Sequence, residues 1–279
     1  MAITEHEFVL DKARCIEFTH LAAQVLGDES ATTAPLLPAW HWLFTHETPL
    51  GVKLGNDGHP HARPPGVPEH FVRRFWVDSL IEYGEARVEV GQILRMRTEV
   101  GKATIKQGKS GELAFVPVAL HLTTGDRVVL VERRTGVYRP SPGHAVKPAT
   151  EQFANGAMNE AAIAPAKVIS FNEIDLFRYS ALLKVYHRIH YDAPYATGEE
   201  GHPGLLVHGP LLGQVLIAHA LSMRPDFRSR KITVKVHRPN YVNRPIHLCV
   251  KHDGAANRLY GTAFDERYLP AMTIELIGS

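Results

Sequence analysis

Long apolar runs are missing from this chain. None approaches the roughly 20 residues that cross a bilayer as a helix. The opening Met1-Ala-Ile-Thr-Glu-His-Glu7 lacks the basic-then-apolar order of a signal peptide. Cysteine is scarce: Cys15 and Cys249 are the two in 279 residues and form no motif with each other. That is no disulfide framework, and it suits a reduced compartment. The expectation is a cytoplasmic protein without a membrane partner. Charge of one sign is also lacking. The 31 Lys and Arg against 29 Asp and Glu leave +2 with His neutral, so there is no broad basic field for nucleic acid.

What is present is an ordinary globular composition, 44% hydrophobic and 22% charged, on a chain long enough for one large domain or two of usual size. Apolar residues at Leu10, Ala13, Ile16, Leu21, Val25 and Leu26 form a helical stripe that Gly27 can stop. Residues 28–70 read as a long Pro-rich loop, with Trp40-His-Trp42 as an apolar anchor that pins it to the core. A short helix is expected near 69–82, followed by strands at Leu94–Val100, Leu113–Thr123 and Arg127–Tyr138. Pro117 argues for an edge or a bulge in the second of these.

Residues 141–165, rich in Pro, Gly and Ala, read as a linker. Beyond it the same grammar resumes: a strand over 166–171, a helix from about Leu211 to Met223, and a strand at Lys231–Arg238. A hairpin turns at Asp253-Gly254, and Ala271–Ile277 forms a closing strand. The simplest organisation is a duplicated α+β unit whose halves share no close residue-level repeat.

Two neighbouring stretches in the second half carry chemistry. Phe177-Arg-Tyr-Ser-Ala-Leu-Leu-Lys-Val-Tyr-His-Arg-Ile-His-Tyr-Asp192 concentrates His187, Arg188, His190 and Asp192. Histidine is the side chain whose ordinary pKa suits proton transfer near neutrality. On a helix His187 and His190 would share a face with Asp192 close by. No HExxH or Cys-rich ligand pattern accompanies them, so a metal is not expected. Arg188 can pair with a carboxylate or a phosphate, or simply be solvated. The second stretch, Leu205-Leu-Val-His-Gly-Pro-Leu-Leu212, leads into a helix apolar nearly all round, hence buried. Pro210 suits a first helical position and Gly209 admits a close ligand. The unpaired N–H groups of such a terminus favour developing negative charge, such as that of a thioester enolate.

These segments, Phe177–Leu182, His187-Arg-Ile-His-Tyr-Asp192 and Pro203-Gly-Leu-Leu-Val-His-Gly-Pro-Leu211, resemble the MaoC-like double hotdog hydratases. That group contains the type 2 hydroxyacyl-thioester dehydratases and the itaconyl-CoA and mesaconyl-CoA hydratases. Leu37-Pro-Ala-Trp-His-Trp42, Asp57-Gly-His-Pro60, Arg73-Arg-Phe-Trp76, Lys109–Phe115 and Val137-Tyr-Arg139 follow in the order that group shows.

The resemblance implies two tandem hotdogs, each a helix cradled by a curved antiparallel sheet. It divides the chain into a degenerate N-terminal hotdog at 1–140, a linker at 141–165 and a catalytic hotdog at 166–279. It implies reversible hydration of a 2-enoyl thioester of CoA or a carrier protein, in fatty-acid metabolism, without metal or redox cofactor. His190 takes the place of the catalytic histidine, and Gly209 that of the backbone N–H donor to the thioester carbonyl. Arg188, His208 and Arg238 become candidates for substrate binding.

One position departs from the pattern: relatives carry Asp or Asn five residues before the histidine, and here that residue is Val185, which cannot hydrogen-bond. Tyr186, His187 and Asp192 are the nearest candidates for the missing role. The departure leaves a lyase, isomerase, cyclase, thioesterase or non-catalytic acyl-thioester binder as alternatives, and monomer and homodimer both open.

Overall fold

A computed structural model describes residues 1–28, 36–46, 52–108, 111–140 and 166–278. The linker expected at 141–165 and Lys109 lie outside these. The first half contributes β1 (Ala2–Val9), α1 (Lys12–Leu26), a 3-10 turn at Trp40–Phe44, β2 (Arg73–Tyr83), β3 (Ile93–Val100), β4 (Thr104–Gly108), β5 (Gly111–Thr124) and β6 (Arg127–Arg139). The second contributes β7 (Lys167–Ile169), α2 (Glu173–Leu183), α3 (Gly209–Ser222), β8 (Ser229–Val236), β9 (Ile246–Asp253), β10 (Arg258–Phe264) and β11 (Pro270–Gly278).

All the strands join one antiparallel sheet in the order β1-β3-β5-β6-β2-β8-β11-β10-β9-β7, with β4 beside β5. Strands β2 and β8 meet at its middle, pairing Asp78–Glu82 with Lys231–Lys235. The sheet is therefore continuous across the two halves of the chain. Helix α3 lies against β9, β10 and β11 of its own half, while helix α1 packs against α2, α3, the Trp40–Phe44 turn and β7. This is the tandem hotdog expected from the resemblance.

Local chemistry sets the helix ends. Asp11 accepts from the Arg14 N–H at 2.6 Å and Gly27 closes α1 in the left-handed region. Asn172 and Asp175 form a reciprocal capping box on α2. Helix α3 buries nine side-chain positions, Leu211 through Ala218 and Ala220. Each fully buried Leu, Val or Ile contributes about 1.5–3 kcal/mol, so this helix is fixed by packing rather than by propensity. Its one buried polar side chain, Gln214, is satisfied: the Tyr179 hydroxyl donates to Oε1 at 2.6 Å and its Nε2 donates to the Ala39 carbonyl at 3.0 Å.

Three expectations need correction. Residues 73–83 form strand β2, not a helix. Its buried positions include Arg73 and Ser79, so the inward face does not read as apolar. Pro117 sits in an interior strand. Its place lies where β5 changes partner from β4, last paired at Phe115, to β3, first paired at Val118. Gly101 N–H donates to the Pro117 carbonyl at that break, where no ladder N–H is required. Residues 2–9, noted only for lacking a signal, form edge strand β1 against β3.

Candidate active site

Helix α2 stops at Lys184, which adopts the left-handed conformation. The chain then runs through Val185 and Tyr186 into a single 3-10 turn at Arg188–His190. His187 and His190 are thus not on an α-helix. A 3-10 turn still aligns i and i+3, and their ring centroids are 5.5 Å apart.

Four imidazoles form a row. His59 lies 4.5 Å from His187, His187 lies 5.5 Å from His190, and His190 stacks on His208 at 3.6 Å and 18°. His190 Nδ1 is 2.8 Å from the Leu206 carbonyl. A carbonyl only accepts, so Nδ1 carries the hydrogen, and in the neutral ring Nε2 is the basic nitrogen. Burial, then the charge of His187, push the His190 imidazole down to about 3, against the opposite pull of the Leu206 carbonyl. His208 is held well below its ordinary value, chiefly by burial and then by His190. Its Nε2 is 2.8 Å from Ser180 Oγ. His190 and His208 are therefore neutral where an ordinary histidine would begin to protonate.

The row borders a cavity of about 470 Å³, within the range of small-molecule sites. Val185, His187, Ile189, His190, His208 and Gly209 form one wall, continued by Val236–Asn240 beyond β8. The opposite wall comes from the first half: Trp42, His46, His59, Arg74–Val77 of β2, and Arg134 and Tyr138 of β6. Three arginines line the cavity, Arg74, Arg134 and Arg238, and none of the described lining residues is acidic.

Gly209 is the first residue of α3 and His208 supplies no side-chain cap. The first N–H groups of a helix have no intrahelical acceptor, so the Gly209 terminus presents donors beside His190. Glycine is required here by packing: a Cβ would stand 2.8 Å from Trp76 Cε3. Trp76 in turn donates from Nε1 to Ser79 Oγ at 3.0 Å, and the Ser79 hydroxyl bonds Glu132. Glu132 also accepts from Trp42 Nε1 at 3.1 Å and lies 2.9 Å from His41 Nε2. Burial raises its carboxyl, but the His41 bond, Arg134 and Ser79 outweigh that and hold it at about 2. This buried carboxylate fixes the two indoles that face the helix terminus.

The remaining expected site residues divide. Val185 and Arg238 line the cavity with His187, and Arg238 has Asp265 3.9 Å away. Arg188 and Asp192 bind each other at 2.8 Å, and Arg188 also donates to the Asn56 side chain at 2.8 Å. They tie the 55–60 loop to the histidine segment, as does the Arg188 N–H to the Asp57 carbonyl at 3.0 Å. Tyr186 is largely exposed, its carbonyl accepting from the Tyr191 hydroxyl. A Cβ on Gly58, at φ +85°, would lie 1.7 Å from that same Tyr186 carbonyl, so the loop seats directly on the histidine segment. Among the described residues no three His, Cys, Asp or Glu side chains are placed to hold a metal ion.

Sequence reasoning did not single out His46, His59, Arg74, Trp76, Arg134, Tyr138 or Asn240 as site residues. The Asp57-Gly-His-Pro60, Arg73-Arg-Phe-Trp76 and Val137-Tyr-Arg139 segments were the available signal for four of them, His59, Arg74, Trp76 and Tyr138.

Known proteins agree with this architecture. Residues 39–242 match the family described as hydroxyacyl-thioester dehydratase type 2. A protein of Chloroflexus aurantiacus named mesaconyl-C(4)-CoA hydratase is 32% identical over 275 residues, covering 95% of this chain and 93% of its own length. The solved structure of HtdX from Mycobacterium tuberculosis superposes with a TM-score of 0.64 at 14% identity, with each chain covered in full. A second structure from that organism, described as a double hotdog fold, gives 0.55 at 13% identity over 100% of this chain and 96% of its own.

Proposed function

Because the chain belongs to the hydroxyacyl-thioester dehydratase type 2 family, we propose that its hydro-lyase reaction runs between the His190 ring and the Gly209 terminus. The enzyme adds water to, or removes it from, an acyl thioester. The observation that carries the site is the Nδ1–Leu206 bond at 2.8 Å, which leaves Nε2 of a neutral imidazole as the base at the cavity wall.

In the hydration direction the thioester carbonyl rests on the Gly209 N–H. Nε2 of His190 takes a proton from water as its oxygen bonds to Cβ, and the electron pair of the double bond moves to the carbonyl oxygen. The helix terminus holds that enolate. The imidazolium returns the proton to Cα, so water is added and the base is regenerated. Dehydration reverses each step. A low pKa makes His190 a weak base but a strong acid once charged, which favours fast return of the proton.

An arginine-lined cavity, in which Arg74 is paired with Asp57 at 3.0 Å and Arg238 lies at the longer 3.9 Å from Asp265, supports an acyl group that carries its own carboxylate. The relative named for a mesaconyl thioester points the same way. We infer a CoA thioester of a short unsaturated dicarboxylic acid, with Arg238 as one contact to the acyl carboxylate. The second half of the chain supplies the base and the helix terminus, and the first half shapes the acyl slot. Two cysteines that form no disulfide with each other favour a reduced, cytoplasmic setting.

The test is a panel of crotonyl, mesaconyl and itaconyl thioesters, on CoA and on carrier protein, followed by loss of enoyl absorbance. Turnover of the carboxylated thioesters that His190→Ala abolishes without loss of fold is the expected result. Tight binding without turnover indicates a binder, and thiol release indicates a thioesterase.

A further inference from the structure

Hydration needs more than a base. While one O–H of the water points to His190 Nε2, the oxygen must be held by a second polar group so that a lone pair faces Cβ. The wall around His190 is poor in such groups. Val185 is apolar, as are Ile189, Leu206 and Val207. His187 is turned to a buried cluster, its Nε2 4.0 Å from Glu200, which Arg73 also pairs at 3.1 Å.

Of the uncharged lining side chains with a buried unpaired atom, His208 at Nδ1 is stacked on the His190 ring itself, which leaves Asn240. It is 6% exposed and lines the same cavity, and its side-chain Oδ1 has no hydrogen-bond partner among the described residues. An unpaired buried amide costs on the order of 1–3 kcal/mol, and nothing in the packing accounts for it. Its backbone is held in register with the base. The Asn240 carbonyl accepts from Val207 N–H at 2.9 Å, Leu206 N–H donates to the Ile189 carbonyl at 3.0 Å, and the Leu206 carbonyl holds His190 at 2.8 Å. One short ladder thus carries Asn240, the strap before α3 and the histidine turn.

We propose that the Asn240 amide holds the water that His190 deprotonates, supplying from the continuation of the same wall the polar group that Val185 cannot. Turning about Cβ–Cγ lets the amide either donate to the water oxygen or accept its second O–H. In dehydration the same amide holds the departing hydroxyl. The assignment rests on the hydratase reading above.

The experiment compares wild type, Asn240→Leu and the double variant Asn240→Leu/Val185→Asn on the thioester that wild type turns over best. kcat, KM and Tm are measured for each. Leucine removes an unpartnered polar group from an apolar wall, so Tm stays level or rises. The expected result is a kcat loss of about 100-fold in Asn240→Leu, with KM within about threefold. The double variant recovers at least tenfold, because an amide returns to the same cavity from position 185. An Asn240→Leu kcat within about threefold of wild type overturns the assignment. So does a loss matched by a raised KM or a fallen Tm, and so does a loss that Val185→Asn fails to restore. If wild type turns over no thioester of the panel, the hydratase reading fails and this assignment fails with it. Wild-type turnover with an unimpaired Asn240→Leu removes this assignment alone.

Discussion

Acid should unfold this protein before it titrates the base. Three histidines are held neutral in the fold: His46 and His202 are each lowered to about 4 and His190 to about 3, burial being the largest cause in every case. In the unfolded chain each titrates near 6.5. Above pH 6.5 all three are neutral in both states and cost nothing. Below it the unfolded chain binds protons that the fold refuses, so stability falls as pH falls.

At pH 5 the gap is about 1.5 pH units for each group, or about 2 kcal/mol, and about 6 kcal/mol for the three together. That is comparable to the roughly 5–15 kcal/mol that holds a typical domain folded. At about 2–4 °C of Tm per kcal/mol for a chain of this size, Tm should drop by roughly 15 °C between pH 7 and pH 5. The assay is kcat/KM against pH, with far-UV circular dichroism recorded on the same samples. As long as the fold persists, kcat/KM should show no acid limb near pH 6.5, because the free enzyme's base is neutral there. An activity limb titrating near 6.5, with Tm unchanged down to pH 5, would refute the argument.

The other predictions concern the scaffold of the site. Gly209→Ala places a methyl 2.8 Å from Trp76 Cε3; the ring, anchored through Ser79 to Glu132, must withdraw, so kcat should fall at least about tenfold and overpacking of about 1–3 kcal/mol should lower Tm by several degrees, read by steady-state kinetics and calorimetry. Glu132→Ala strips a buried acceptor from Trp42, Ser79 and His41 and should cost about 3–5 kcal/mol, a Tm loss on the order of 10 °C in calorimetry. Gly58→Ala, which meets the Tyr186 carbonyl at φ +85°, should unseat the 55–60 loop and raise KM. Hydrogen exchange at 185–190 would report the loosening.

The chemistry was more legible than the framework around it. His190 and Gly209 stood out because a histidine-rich turn and a Gly-Pro helix start are local signals within about 20 residues of each other. The strands at 93–100, 111–124 and 127–139 were readable from their alternation. Strand β2 was not, because its inward positions include Arg73 and Ser79, polar residues buried to meet Glu200 and Glu132. Their partners lie 127 and 53 positions away in the chain, and no window of sequence contains both. For the same reason Arg134 could not be assigned to the cavity. Asn240 had no local signature at all; its unpaired amide is visible only once the wall is built.

The pairing of β2 with β8 makes each half of the chain the missing neighbour of the other. Cut between the halves, either piece would present an open strand edge at the middle of its former sheet, the kind of edge on which proteins aggregate. Either piece would also hold only one wall of the cavity. The chain therefore behaves as a tethered pair, in which the tether supplies a high local concentration of the complementary half. Such a pair can be divided as two co-expressed fragments and rejoined, with recovery of turnover reporting on closure of the interface between the halves.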